Sequence, residues 1–154
     1  MPSPSAGAAP ESCAFVMELP SDPGVIETAV AYLVDRLRAY AFGGSRLNLN
    51  FRVGVAEALA NAMIYGNGSD PEKHVRVEVE LSAHEVALLV FDEGAGFDPS
   101  GVPDPTLPEN LEGTGGRGIF LIRELMDEVR YNEPGNCVRL VLRNERTLRR
   151  ASGE

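Results

Sequence analysis

The sequence predicts an α+β domain. The expected form is a two-layer α/β sandwich, with a mixed, mostly antiparallel sheet and three helices on one face. Three observations lead there. First, the elements run strand, helix, helix, strand, strand, long loop, helix, strand, strand. That order contains hairpins and too few helices for a doubly wound parallel sheet. Second, residues 74–82 (HVRVEVELS) alternate strictly, with Val75, Val77, Val79 and Leu81 on one side and Arg76, Glu78 and Glu80 on the other. Such a strand has one dry and one solvated face. Third, the chain has 154 residues, of which 44% are hydrophobic and 24% charged. That suits one domain with one core.

Each element has its own signal. Residues 1–12 (MPSPSAGAAPES) hold neither a basic nor an apolar run, and read as a flexible tail rather than a secretory signal. Residues 13–19 (CAFVMEL) suggest the first strand, and the folded domain is expected to span residues 13–143. Ser21-Asp22-Pro23 combines a capping side chain with a first-turn proline, so a helix is expected over residues 24–42, stopped by Gly43-Gly44. A second helix is expected over residues 48–65, capped by Asn48 or Asn50 and stopped by Gly66-Asn67-Gly68. After 74–82, residues 85–92 (EVALLVFD) complete a hairpin. Residues 93–116 are rich in Gly and Pro, and a loop of that length inside a compact domain is usually functional. A third helix runs from about Gly118 to Asp127. Strands at 128–132 and 137–143 close the domain around Glu133-Pro134-Gly135-Asn136, and residues 144–154 read as a frayed tail.

Charge and cysteine content narrow the function. Fourteen basic residues against twenty-three acidic ones give a net charge of -9, which disfavours nucleic acid and anionic membranes as partners. No apolar run approaches the length of a membrane span. Cys13 and Cys137 lie far apart and form no metal-ligand spacing. Reduced thiols and a cytoplasmic location are the simplest expectation.

Three segments carry residue types suited to chemistry. On the second helix, Glu57 and Asn61 are four residues apart and share a face among small neighbours. A carboxamide oxygen there suits a hard cation such as Mg²⁺, and the carboxylate suits activation of a hydroxyl or water. At the end of an apolar strand, Asp92 is followed by Gly94 and Gly96. The glycines allow close approach of a flat ligand, and the carboxylate can accept from an exocyclic amine. Finally, Gly113-Thr114-Gly115-Gly116-Arg117-Gly118 opens the third helix. Unpaired backbone N–H groups and the helix dipole make such a start suited to phosphate. No Lys or Arg lies between Arg76 and Arg117, while Glu78, Glu80, Glu85, Asp92, Glu93, Asp98, Asp104, Glu109 and Glu112 do. A polyphosphate here would rely on Mg²⁺, main-chain amides and Arg117 rather than on a lysine.

With these residues in hand, the chain resembles the GHKL superfamily of ATP-binding proteins, and more closely the anti-sigma factor serine/threonine kinase family. EALANAMIYGN resembles the N-box, DEGAGFDP the adenine-binding G1 box and GTGGRGIFLIRELMDEV the G2 box. The resemblance covers roughly residues 13–143 and implies the Bergerat ATP-binding fold. It implies Glu57 as general base toward an acceptor serine and Asn61 as the Mg²⁺ ligand. Asp92 would take the adenine amino group, with Gly94 and Gly96 shaping the pocket. Residues 99–112 would form a lid. Gly113, Thr114, Gly115, Gly116, Arg117 and Gly118 would lie around the phosphates of ATP.

The implied activity is ATP-dependent phosphorylation of a small antagonist protein, together with sequestration of a sigma factor, by a protein that commonly forms a homodimer. The alternative is a catalytically inactive, ATP-responsive interaction switch of the same fold. Two positions depart from the family pattern. Tyr65 stands where histidine is usual. Gly135-Asn136-Cys137-Val138 stands where the last strand usually opens with threonine near the adenine, which weakens adenine binding or moves that role to Asn136.

Overall fold

The computed structural model describes residues 11–96, 117–145 and 148. Strand β1 spans Ser12–Pro20, helix α1 Ile26–Arg38 and helix α2 Arg52–Asn61. Then come β2 (His74–Ser82), β3 (Glu85–Phe91), helix α3 (Arg117–Leu125), β4 (Glu128–Tyr131) and β5 (Cys137–Arg143). The five strands form one sheet in the order β1-β2-β3-β5-β4. All four pairings are antiparallel, so the parallel component of the expected mixed sheet is absent among the described strands. Two hairpins account for two of these pairings. The α3 connection then places β4 at the edge, and β5 returns between β3 and β4.

Alternation along the strands sets the inner face. Val75, Val77, Val79 and Leu81 of β2 are buried, as are Val86, Leu88 and Val90 of β3 and Val138, Leu140 and Leu142 of β5. The helices cover this face with Leu33 and Leu37 of α1, Val55 and Leu59 of α2 and Ile122 of α3, all at most 1% exposed. Burial of Leu- or Ile-sized groups is worth about 1.5–3 kcal/mol each, so this layer is the main source of stability. Val16 of β1 is half exposed on the other face.

The helix boundaries show where local signals yielded to packing. Asp22 caps as expected, its carboxylate accepting from Gly24 N–H at 2.9 Å before the 3-10 turn Pro23–Val25 that leads into α1. Yet α1 stops before Gly43. Ala41 adopts the left-handed conformation (φ 66), Phe42 N–H bonds Leu37 O at 3.2 Å, and Ala41 N–H bonds Arg38 O at 3.1 Å. This is a Schellman stop with alanine in the glycine position, at a cost of about 1–2 kcal/mol. Burial of Tyr40 and Phe42 on either side offsets it.

The second helix begins earlier than expected. Helical structure runs over residues 44–66, with π-helical turns at Arg46–Phe51 and Ala62–Gly66 flanking α2. Asn48 and Asn50 therefore lie inside it and cap nothing there. Asn50 instead donates to Leu125 O at 2.8 Å, satisfying the last turn of α3. Gly54 lets the two helices close up: a Cβ there would stand 2.9 Å from Met126 Sδ. Asn144, the first residue of the expected tail, is buried and donates to Ala83 O at 3.0 Å.

Candidate functional site

The N-terminal turn of α3 packs on the polar face of α2. Glu57 and Asn61 sit one turn apart, and Gly118 lies directly against both. A Cβ on Gly118 would stand 3.0 Å from both end atoms of the Asn61 carboxamide and 3.1 Å from Glu57 Oε2. The structure thus brings together a carboxylate, a carboxamide and the positive end of a helix, drawn from the first and third of the sequence segments. The Asn61 Nδ2 atom is buried without a hydrogen-bond partner among the described residues. A buried, unpaired amide costs about 1–3 kcal/mol, so a ligand is what would complete it.

Beside this group lies an apolar cavity of about 230 Å³. Ala58 and Ala62 of the helix, Ile119 of α3, and Val90, Tyr131 and Val138 of the sheet contribute to its wall. Such a volume falls below that of a typical whole-ligand pocket, and suits one flat ring system with the rest of the molecule outside. Asp92, just past β3, supplies its carboxylate. Burial raises the Asp92 pKa above the ordinary aspartate value, while the Gly94 N–H and, more weakly, Lys73 oppose the rise. The Gly94 N–H donates to Asp92 Oδ1 at 2.8 Å, and the Asp92 N–H donates to Asn136 O at 3.0 Å.

The glycines around Asp92 are required by contact. A Cβ on Gly94 would stand 2.0 Å from Gly66 O, and one on Gly66 would stand 2.3 Å from Asp92 Oδ2. Gly96 has φ +90, and its Cβ would stand 1.6 Å from Pro134 O. The loop after β3 therefore threads between the end of the second helix and the β4–β5 turn, and only glycine leaves room on either side.

Three contributors were not singled out by the sequence reading. Gly66, read only as a helix stop, is the seat of the Asp92 carboxylate. Asn67, 2% exposed, donates to Ser21 Oγ at 2.7 Å and His74 O at 3.0 Å, and accepts from Glu93 N–H at 2.7 Å. It clamps the helix end to β2 and to the residue after Asp92. The Gly-Asn-Gly spacing was its only signal. Tyr131, read as an ordinary strand residue, lines the cavity. Burial pushes its hydroxyl up to about 12, with Arg123 acting the other way and Asp92 adding to the rise.

The two departures from the family pattern also find places. Tyr65 is 60% exposed at the cavity mouth. Gly135, Cys137 and Val138 line the cavity. The Asn136 side chain is occupied elsewhere: it accepts from Asn132 Nδ2 at 2.8 Å and donates to Gly94 O at 3.4 Å. Gly113, Thr114, Gly115, Gly116 and residues 99–112 lie outside the described residues, as do both ends of the chain through residue 10 and from residue 149. Arg117 is the first residue of α3. His74 and His84 are exposed, and both cysteines are free thiols. Among the described residues no three His, Cys, Asp or Glu side chains converge as a metal site, and no helix is long and apolar enough to cross a membrane.

The chain is 25% identical over 122 residues to the serine-protein kinase RsbW of Oceanobacillus iheyensis, covering 75% of this chain and 77% of that protein. It is 26% identical over 123 residues to the serine-protein kinase RsbW of Bacillus subtilis, covering 74% of each. It is 37% identical over 78 residues to the anti-sigma F factor of Bacillus cytotoxicus, covering 49% of this chain and 53% of that protein. The profile of the histidine kinase-like ATPase domain matches residues 19–142, which takes in α1 to α3, β2 to β4, nearly all of β5 and the residues lining the cavity. On that match the chain belongs to the histidine kinase-like ATPase domain family.

Proposed function

We propose that this protein is an ATP-dependent protein serine/threonine kinase that acts as an anti-sigma factor. The observation that carries the reading is the convergence of Glu57, Asn61 and the α3 N-terminus beside an apolar cavity ending in Asp92. A nucleotide fits this layout in one direction. Its base enters the cavity, with the exocyclic amine donating to Asp92. Its phosphates leave toward Gly118, where main-chain N–H groups and the helix dipole favour negative charge. The unpaired Asn61 Nδ2 suits donation to a phosphate oxygen, and the carboxamide oxygen of Asn61 would be the atom to hold Mg²⁺. When bound, the ion neutralises charge on the transferring phosphoryl group.

Glu57 supplies the remaining step. Its carboxylate orients the acceptor serine or threonine hydroxyl and takes its proton as the oxygen attacks the terminal phosphorus. The bond to the leaving diphosphate oxygen breaks, yielding a phosphoprotein and ADP. Positioning and charge neutralisation do most of the work in such transfers. The serine-protein kinase and anti-sigma factor names of the relatives support a sigma factor as the sequestered partner and a small antagonist protein as the phosphate acceptor. Homodimerisation belongs to the same reading.

The test is transfer of labelled terminal phosphate from ATP, with Mg²⁺, to a candidate antagonist co-purified from the native cell. Transfer that is lost in Glu57→Gln while nucleotide binding persists is the expected result. Nucleotide binding without transfer to any co-purified protein would refute the kinase assignment.

A further inference from the structure

The three helices pack on one face of the sheet, and the opposite face carries a patterned surface. Strand alternation puts Val16 of β1, Glu78 and Glu80 of β2, Ala87 and Leu89 of β3, and Arg139 of β5 on that face. The register lines them up across the strands: Val16 pairs with Glu78, Glu78 with Leu89, and Leu89 with Arg139. An acidic row on β2 and a basic position on β5 thus flank an apolar row on β3, the central strand of the five. Two hollows of about 280 and 330 Å³ run along this face, and Glu80, Ala87 and Arg139 line both.

The charges on this face are not balanced within one chain. Arg76 donates to Glu78 at 3.0 Å and Arg143 to Glu128 at 2.9 Å. Neither Glu80 nor Arg139 has an ion pair among the described residues. The β4–β5 register sets Arg139 directly opposite Arg130. Like charges in that relation destabilise a sheet. Glu78 and Glu80 are in turn neighbours on one face of one strand. Each flank therefore gains from opposite charge arriving over the sheet.

We infer that this face is where two copies of the chain meet, sheet on sheet, about a two-fold axis parallel to β3. The inference rests on the homodimer of the proposed function and names the surface that makes it. A two-fold contact must be complementary to itself. An axis along β3 carries the β2 side of one copy over the β5 side of the other. Glu78 and Glu80 then face Arg139 twice, and Leu89 packs against its own equivalent. An axis across the strands would lay β2 on β2 and set acid against acid. Aligned sheets pack about 10 Å apart, a gap that side chains fill from both sides, and the two hollows receive those of the facing copy. The net charge of -9 makes two copies repel at long range, so a stable contact has to set arginine against carboxylate.

The experiment is sedimentation equilibrium on the full chain. Wild type is expected to dimerise. Arg139→Glu and the double variant Glu78→Arg/Glu80→Arg should each weaken self-association by about 10²-fold or more, because each sets like charges face to face. Both lie at surface positions, and cooperative urea unfolding should be retained. An equimolar mixture of the two should form a dimer holding one copy of each, since every facing pair is then opposite in sign. Arg139→Glu dimerising as wild type does, or a mixture that stays monomeric, would overturn this face and leave the homodimer itself standing. A monomeric wild type would overturn both.

Discussion

Replacing Gly66 with alanine isolates the contact that seats the Asp92 carboxylate. Gly66 does not have positive φ, so the backbone accepts alanine without strain. Its position at a helical turn even favours alanine intrinsically. The new Cβ, however, would stand 2.3 Å from Asp92 Oδ2 and 2.4 Å from its Cγ. Ordinary contact requires the carboxylate to retreat by about 1 Å, which breaks its 2.8 Å bond from Gly94 N–H. Overpacking and the lost charged hydrogen bond together amount to about 2–4 kcal/mol.

The expected result is a clear loss of stability in urea unfolding and at least about tenfold weaker adenine-nucleotide binding by calorimetry. Asp92→Ala removes the group that the methyl strikes, so Gly66→Ala should cost little in that background. The double-mutant cycle should show coupling of about 1–3 kcal/mol. Gly68→Ala is the control: its φ is +60 with open space around it, so it costs about 1–2 kcal/mol in backbone strain and leaves nucleotide binding unchanged. Wild-type binding in Gly66→Ala, or a cycle additive within about 0.5 kcal/mol, would refute the steric argument.

Four further outcomes follow from the same geometry. Glu57→Gln should reduce phosphate transfer by about 10²–10⁴-fold with little change in nucleotide affinity, as read by single-turnover kinetics beside calorimetry. Gly118→Ala should unfold at or above the wild-type temperature, since alanine favours the helix, yet bind Mg²⁺–ATP more weakly because Asn61 and Glu57 must give way by a few tenths of an ångström. Asn67→Ala should destabilise by about 3 kcal/mol, because the Glu93 N–H and the His74 carbonyl lose their buried partner. Asp92 has a folded-state pKa raised by burial, so its contribution to stability is full below the ordinary value of 3.8 and is lost as pH rises through the raised value. The stability of wild type relative to Asp92→Asn should therefore fall as pH rises through that window in urea titrations, and a gap that grew with pH would contradict the burial argument.

The elements were legible because their signals are short-range. The alternation of residues 74–82, the Asp22 cap and the Glu57–Asn61 spacing each depend on a few neighbouring residues, and each appears in the structure where the spacing put it. The misplaced boundaries have a different origin. Asn50 carries a capping side chain, but its partner is Leu125, far along the chain. Ala41 carries no stop signal, yet it ends α1 because Tyr40 and Phe42 are buried around it. Likewise Tyr131 resembles any half-buried strand residue until the β5–β4 pairing brings it to the cavity wall.

Residue type and local periodicity alone determined the fold class, the helices and hairpins, and which carboxylate and carboxamide share a helical face. Those properties depend on backbone geometry over a few residues, which the side chains themselves set. Tertiary structure decided that the sheet is antiparallel throughout the described strands, that Gly118 meets Glu57 and Asn61, and that Gly66 rather than a side chain seats Asp92. It also brought Arg36 to Cys13. Each of these is a close approach between distant segments, set by how the helical layer packs on the sheet, and such distances are created only when the core closes.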